Sequence, residues 1–164
     1  MIALRCTEKL RKKLRLPTLS EDAPPSTAAL GDWFGHPVST RHSRVILLVS
    51  ERSRLAVLVH ARQLDRFERR FADATADLLL DLGAPAEAVA DEREAMNDVV
   101  YARTNSRSVL GTMNDYTFAL RIYLEEEPEK TLHEIALMLS VTPIGPLGYD
   151  SPDRVVRGLL GTRI

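Results

Sequence analysis

The stretch that decides the fold is residues 45–59, VILLVSERSRLAVLV. Two apolar runs rich in Val, Ile and Leu, Val45–Val49 and Leu55–Val59, enclose the polar segment 50–54. Short runs of this kind, separated by a few polar residues, are typical of a β-hairpin. Because both runs are almost continuously apolar, rather than alternating, we expect the hairpin to be covered on both of its faces.

Two more strands are predicted elsewhere in the chain. Ile2–Cys6 is a short apolar run near the beginning, and Val99–Tyr101 is another one inside the segment 98–103. The stretch Leu30–His36, around Trp33, is rich in turn-forming residues, and we expect it to form turns. The sequence therefore predicts about four strands.

Helical signals occupy most of the remaining chain. Between Leu64 and Leu82, apolar residues recur at steps of three and four, which is typical of an amphipathic helix, and Gly83 is placed to end it. A later helix, from Val109 to about Glu126, has apolar residues on more than one face, so we expect it to lie centrally in the fold. The expected helices are 8–14 (capped by Thr7), 64–82, 85–96, 109–126, one starting after Thr131 and one starting at Ser151-Pro152.

This order of elements predicts the α+β class. We expect a small mixed or antiparallel sheet of about four strands, including the central hairpin, packed with about five to six helices. The 164 residues fit a single domain, 1–164, since a domain usually has about 100–200 residues. One interruption is expected, a flexible loop at about 17–29, where Pro17, Pro24 and Pro25 stand among polar residues.

Composition excludes several classes of protein. The longest uninterrupted apolar run, Val45–Val49, is far too short to cross a bilayer, which needs roughly 20 apolar residues. One cysteine, Cys6, allows no disulfide within the chain and no cysteine-based metal cluster. The segment Met1–Arg15 lacks the apolar core of a signal peptide. We therefore expect a cytoplasmic protein that does not associate with membranes.

The charge distribution argues against strong general nucleic-acid binding and is compatible with a local anion contact. The net charge is −1 and the pI is about 6.4, whereas strongly basic nucleic-acid-binding domains have a pI above ~9. Basic side chains are in excess in residues 1–54, and acidic ones are in excess in residues 55–164. The four histidines lack the spacing of metal ligands, and no phosphate-loop or dinucleotide signature is present. We expect no metal and no cofactor.

The polar run Thr104–Asp115 is the most unusual part of the sequence, because it leaves a predicted strand and enters a predicted helix. A helix start presents free backbone N–H groups and the positive end of the helix dipole to an anion. Arg107 offers a fork of donors, and Asn105 and Ser108 offer an amide and a hydroxyl. We expect this run to share a hollow with the basic beginning of the chain. The candidate ligand-binding residues are Arg5, Lys9, Thr104, Asn105, Arg107, Ser108, Asn114 and Asp115.

Other interpretations of the same residues lead to different classes of function. In one, the protein is a small hydrolase or transferase in which Arg107, Asn114 and Asp115 line a pocket. Cys6 or a histidine would assist that reaction. In another, it is a partner-dependent regulatory protein that uses the acidic edge Glu125–Glu129. In a purely structural interpretation, a serine of the run caps the helix and its arginine pairs with a neighbouring carboxylate.

Four short motifs resemble those of an uncharacterised bacterial family, a domain of unknown function. They are LRCTEKL at 4–10, LGDW at 30–33, SER at 50–52 and RSVLGTMND at 107–115. The resemblance extends from residue 4 to about residue 120, and the run 107–115 is its most specific part. It implies a bacterial single-domain protein, and it implies no activity and no catalytic residue. An anionic group, such as a nucleotide, a nucleic-acid phosphate or an acidic partner, is the ligand expected from the residues themselves.

Overall fold

The computed structural model describes residues 1–162 and has the predicted α+β architecture. A five-stranded mixed sheet replaces the expected sheet of about four strands. The strands are β1 (Ile2–Cys6), β2 (Trp33–Ser39), β3 (Arg44–Ser50), β4 (Ala56–His60) and β5 (Val99–Arg103).

Six α-helices lie within the described residues, in agreement with the expected number. Short 3-10 turns at Leu64–Arg66 and Gly145–Leu147 precede the second and the last of them. None of the described helices is long and apolar enough to span a membrane. The helices are α1 (Glu8–Lys13), α2 (Phe67–Asp81), α3 (Ala86–Ala95), α4 (Arg107–Glu126), α5 (Leu132–Ser140) and α6 (Pro152–Leu160).

The strand order is β4-β3-β2-β1-β5, so the first strand of the chain lies inside the sheet. It runs parallel to both of its neighbours, whereas β2, β3 and β4 form an antiparallel meander. The register places Cys6 opposite Gly35 on one side and opposite Arg103 on the other. The carboxyl ends of β1 and β5 therefore lie side by side at one edge of the sheet.

The two faces of the sheet carry different helices. On the face of Gly35, a Cβ added to this glycine would approach Leu10 of α1 to 2.5 Å, so α1 packs closely there. Trp33 lies on the same face as Gly35, since side chains alternate along a strand. Its ring packs edge-on against that of Phe71 of α2, and the two ring centroids are 5.2 Å apart. The long helix α4 contacts β2 and β3, and the charge of its Arg121 acts on His36, whose side chain lies on the opposite face of β2 from Gly35.

The hairpin predicted at residues 45–59 is confirmed as β3 and β4. The five apolar residues Val45–Val49 are completely buried, as the continuous apolar pattern indicated. Helices α2 and α5 contact β4, and α4 contacts β3. The expectation of cover on both faces is therefore confirmed.

Two expectations are corrected by the structure. The stretch around Trp33 is strand β2, not a set of turns, and its Pro37 lies beyond the last residue paired with β1. One edge of β2 is unpaired at that point, which is why a residue without an N–H is tolerated. Helix α4 is not central, because Phe118 is 71% exposed and Ile122 is 41% exposed on its outer side.

The segment 17–29, where a flexible loop was predicted, contains neither helix nor strand. Its backbone is fastened to the sheet at several points. Arg103 of β5 donates its N–H to the carbonyl of Ser20 at 2.8 Å, and Ala3 of β1 donates to the hydroxyl of Ser26 at 2.9 Å. These contacts hold the loop against β1 and β5.

Candidate functional site

The candidate site lies where β1 and β5 end next to each other. After β1 the chain continues into α1 on one face of the sheet, and after β5 it continues into α4 on the other face. Where connections from adjacent parallel strands diverge in this way, the carboxyl ends leave a crevice that commonly binds ligands. We call this place the switch edge and define it as residues 7–9 and 104–107.

Each side of the switch edge begins with a capped helix. The Thr7 hydroxyl accepts from the N–H of Leu10 at 3.4 Å and thereby caps α1, as predicted. The Ser106 hydroxyl accepts from the N–H of Val109 at 3.2 Å and caps α4. The capping interpretation of the polar run is therefore correct for Ser106. The caps leave the first N–H groups of α4 without intrahelical partners, as at any helix start.

A histidine that sequence reasoning left unassigned lies beside the switch edge. His36 Nδ1 is 2.8 Å from the hydroxyl of Thr7, because Thr7 follows Cys6 where β1 runs alongside β2. Partial burial lowers the pKa of His36 below its usual value, and the charges of Lys9 and Arg121 lower that pKa further. The charges of two cations from different helices therefore act on one imidazole, which favours its neutral form.

Three cationic side chains of α1 and α4 form no ion pair with any residue in the range 1–162, and the charges of two of them, Lys9 and Arg121, act on the pKa of His36. They are Lys9, Arg107 and Arg121, and all three are exposed. Nearby arginines behave differently, since Arg103 lies 3.3 Å from a carboxylate oxygen of Glu21. The switch edge thus retains positive charge that the described residues do not neutralise.

Arg5 lies beneath the switch edge and is almost completely buried. Its Nε donates to the Asp32 carboxylate at 2.7 Å. Its Nη1 donates to the carbonyls of Glu21 at 2.8 Å and Arg103 at 2.9 Å. Because internal acceptors occupy this guanidinium, Arg5 holds the 17–29 segment against β5, and we leave it out of the site proposed below.

Ser108 also has a protein partner. Arg54, in the turn between β3 and β4, donates through Nη2 to the Ser108 hydroxyl and through Nη1 to the Thr112 hydroxyl, both at 3.1 Å. The Tyr116 hydroxyl in turn donates to the carbonyl of Arg54 at 2.8 Å. These bonds dock α4 onto the hairpin. Sequence reasoning missed Arg54, because nothing in its neighbourhood distinguishes it from a surface arginine.

The remaining candidate residues lie in two places. Thr104 is half-buried and Asn105 is exposed, both within the switch edge. Asn114 and Asp115 are exposed about two turns further along α4, and their side chains form no hydrogen bond with a described residue. The structure therefore places Lys9, Thr104 and Asn105 within three residues of the paired ends of β1 and β5, Arg107 at the first position of α4, and Asn114 and Asp115 about two turns beyond it.

The groups named for the enzymatic interpretation are not assembled into a reactive set. Cys6 is buried, and desolvation raises the pKa of its thiol to about 12, so the nucleophilic thiolate is strongly disfavoured. A cavity of about 560 Å³ lies elsewhere, between the end of α4 and the β2–β3 turn, and His42 and His60 line it. No group of three His, Cys, Asp or Glu side chains among residues 1–162 is placed to hold a metal ion.

Comparison with known proteins places the chain in a family. The model of a family described as Domain of unknown function (DUF6933) matches residues 3–155, which is nearly the whole chain. The resemblance to a family of unknown function is thereby confirmed. No curated protein and no solved structure matched the chain.

Proposed function

The chain belongs to the DUF6933 family, a domain of unknown function, and we propose that it is a binding module that recognises an anionic group at the switch edge. The ligand class is a phosphate-bearing molecule such as a nucleotide. Lys9 and Arg107 supply the charge, and Thr104 and Asn105 supply neutral hydrogen-bond donors.

One observation carries this proposal. The register of β1 and β5 pairs Cys6 with Arg103, and so the segment that leads into α1 leaves the sheet next to the segment that leads into α4. Each helix start brings one exposed cation without an ion-pair partner among the described residues, Lys9 on α1 and Arg107 on α4. Two such cations beside the carboxyl ends of parallel strands favour a small anion over a solvated helix surface.

The donors suit a phosphate in complementary ways. The Arg107 guanidinium can bind two phosphate oxygens at once, whereas the Lys9 ammonium acts as a compact point charge. The unpaired first N–H groups of α4, at the positive end of the helix dipole, add weaker attraction. The neutral His36, whose Nδ1 lies 2.8 Å from the Thr7 hydroxyl, can donate one ring N–H.

The experiment is isothermal titration calorimetry of the full chain with ATP and, separately, with inorganic phosphate. We expect Lys9→Gln and Arg107→Gln each to weaken ATP binding by about tenfold, or ~1.4 kcal/mol, the loss of one charge-assisted contact. Arg69→Gln is the matched control, because Arg69 is an exposed cation of α2 on another part of the molecule.

Three results would overturn the proposal. They are failure of the unaltered chain to bind either anion, unchanged binding by Lys9→Gln and Arg107→Gln, and equal weakening by Arg69→Gln. The last of these would indicate a diffuse charge effect rather than a defined site. Circular dichroism of each variant separates a lost contact from a lost fold.

The alternative of a small hydrolase or transferase has less support from the contacts. Its carboxylate, Asp115, is solvent-exposed away from the switch edge, and its thiol, Cys6, is buried. The cellular setting that we propose is the bacterial cytoplasm. The bacterial part rests on the resemblance, and the cytoplasmic part rests on the presence of a single thiol in the chain.

A further inference from the structure

Helix α4 has an outer stripe that no other part of the described chain covers. Side chains three and four positions apart lie on the same side of a helix. Phe118 at the middle of this side is 71% exposed, and Ile122, one turn later, is 41% exposed. We define the outer stripe as Arg107, Gly111, Asn114, Phe118, Ile122 and Glu125.

The charged residues of the outer stripe are placed unfavourably relative to the dipole of their own helix. Arg107 stands at the N-terminal, positive end of α4, and Glu125 stands at the C-terminal, negative end. The first turn of α4 has no acidic residue and its last turn has no basic residue. Both ends would be stabilised by a neighbouring helix that runs in the opposite direction and carries the same sequence.

The shape of the stripe fits the same arrangement. A Cβ added at Gly111 would have nothing within 4 Å, so a neighbouring helix could approach the backbone of α4 closely at this point. If two copies of α4 lie antiparallel about a two-fold axis midway between Asn114 and Phe118, Arg107 of each faces Glu125 of the partner subunit. Phe118 then lies against Asn114 of the partner subunit, and Ile122 lies near the open space at the partner's Gly111.

We propose that the outer stripe is the interface of a homodimer in which two α4 helices pack antiparallel. A two-fold interface needs a self-complementary surface, and this stripe has its opposite charges at equal distances from the point midway between Asn114 and Phe118. A helix of this length extends about 30 Å, so the pair buries an area near the lower end of the range for stable interfaces. The dimer is therefore expected to dissociate reversibly on dilution.

The dimer and the anion site share Arg107 but differ in their other residues. Phe118 belongs to the interface alone, and Lys9 belongs to the switch edge alone. An anion at the switch edge competes with Glu125 of the partner subunit for the Arg107 guanidinium. Phe118→Asp therefore tests the dimer, and Lys9→Gln tests the anion site, so failure of either proposal can be recognised separately.

The test is sedimentation equilibrium of the full chain over a wide range of protein concentrations, without added anion ligand. We expect a monomer–dimer equilibrium whose dissociation constant rises about thirtyfold or more in Phe118→Asp, as for loss of a central aromatic contact. Tyr149→Asp is the matched control, because Tyr149 is 79% exposed outside α4 and its replacement should leave the equilibrium unchanged.

A charge exchange supplies a second test that does not depend on Phe118. Arg107→Glu alone and Glu125→Arg alone each place like charges opposite each other in both halves of the dimer, and each should weaken it. The double variant Arg107→Glu/Glu125→Arg restores opposite charges and should restore dimerisation. A monomer at every concentration, an unchanged dimer in Phe118→Asp, or no recovery in the double variant would overturn the proposal.

Discussion

Arg5 and Lys9 are four positions apart in the sequence, yet they lie in two regions with opposite physical character. Arg5 belongs to a buried layer in which its guanidinium meets the Asp32 carboxylate and two backbone carbonyls. Lys9 lies in the switch edge above, exposed and without an ion pair among the described residues. A buried charge must be compensated by the protein itself, whereas an exposed charge remains available to a ligand.

The largest expected effect is the loss of the buried layer. Arg5→Leu leaves the Asp32 carboxylate without its cation and two carbonyls without their donor. We expect a loss of about 3–5 kcal/mol in the free energy of unfolding, as for other half-broken buried ion pairs. Urea denaturation followed by circular dichroism measures it.

Lys9→Leu is the control for this comparison, since surface changes away from such contacts usually alter stability by less than about 0.5 kcal/mol. If both variants lost the same stability, the distinction between the two regions would be wrong.

Local sequence patterns predicted most of the secondary structure, but not the strand whose pairing depends on remote residues. The hairpin, the helices and the position of the Thr7 cap follow from local periodicity and capping, which depend on neighbours in the chain. Strand β2 did not, because Gly35 and Pro37 imitate a turn. Its pairing is decided by β1 and β3, which are remote in the sequence.

The residues of the candidate site were predictable by type but not by environment. The sequence pointed to Lys9 and Arg107, and it equally pointed to Arg5, because burial of a charged side chain depends on the tertiary fold. His36 could not be assigned, because its neighbours Lys9 and Arg121 approach it from separate helices. The prediction that α4 is central was wrong, because the apolar residues on which it was based include the exposed Phe118.

A second, smaller loss of stability should follow from crowding between β2 and α1. In Gly35→Ala the new methyl group would lie 2.5 Å from Leu10 Cδ2, so the Leu10 side chain or the helix that carries it must shift. We expect the free energy of unfolding to fall by about 1–3 kcal/mol, which is typical of overpacking. ATP binding should also weaken, since α1 carries Lys9.

Gly111→Ala is the matched glycine variant for thermal unfolding at low protein concentration. It has open space around the new methyl group and lies within a helix, so it should gain about 0.5–1 kcal/mol. A stabilised Gly35→Ala would contradict the close packing of α1.

The cap of α4 separates stability from ligand binding. Ser106→Ala removes the bond to the N–H of Val109 and should cost about 1 kcal/mol, measured by urea denaturation. Ser106→Asp keeps a good capping group and should keep the stability. Its negative charge, however, stands within the switch edge and should weaken ATP binding, measured by calorimetry. If Ser106→Asp bound ATP as tightly as the unaltered chain, the ligand would lie elsewhere.

The smallest expected effect is a shift in the pKa of His36, which reports the charge in its immediate surroundings. Because burial and the cations Lys9 and Arg121 lower the pKa of His36, this imidazole should titrate below the usual value of about 6.5 in a proton NMR experiment. The folded state takes up the His36 proton less readily than the unfolded chain. This group's contribution to stability is therefore present above the unfolded pKa and is lost as the pH falls through about 6.5 toward the folded pKa.

Lys9→Gln removes one of the two opposing charges and should move the pKa of His36 upward, and a bound phosphate should move it in the same direction. Arg69→Gln, on α2, should leave that pKa in place. An upward shift with Lys9→Gln but none with phosphate would mean that positive charge surrounds His36 while the anion binds at a different part of the surface.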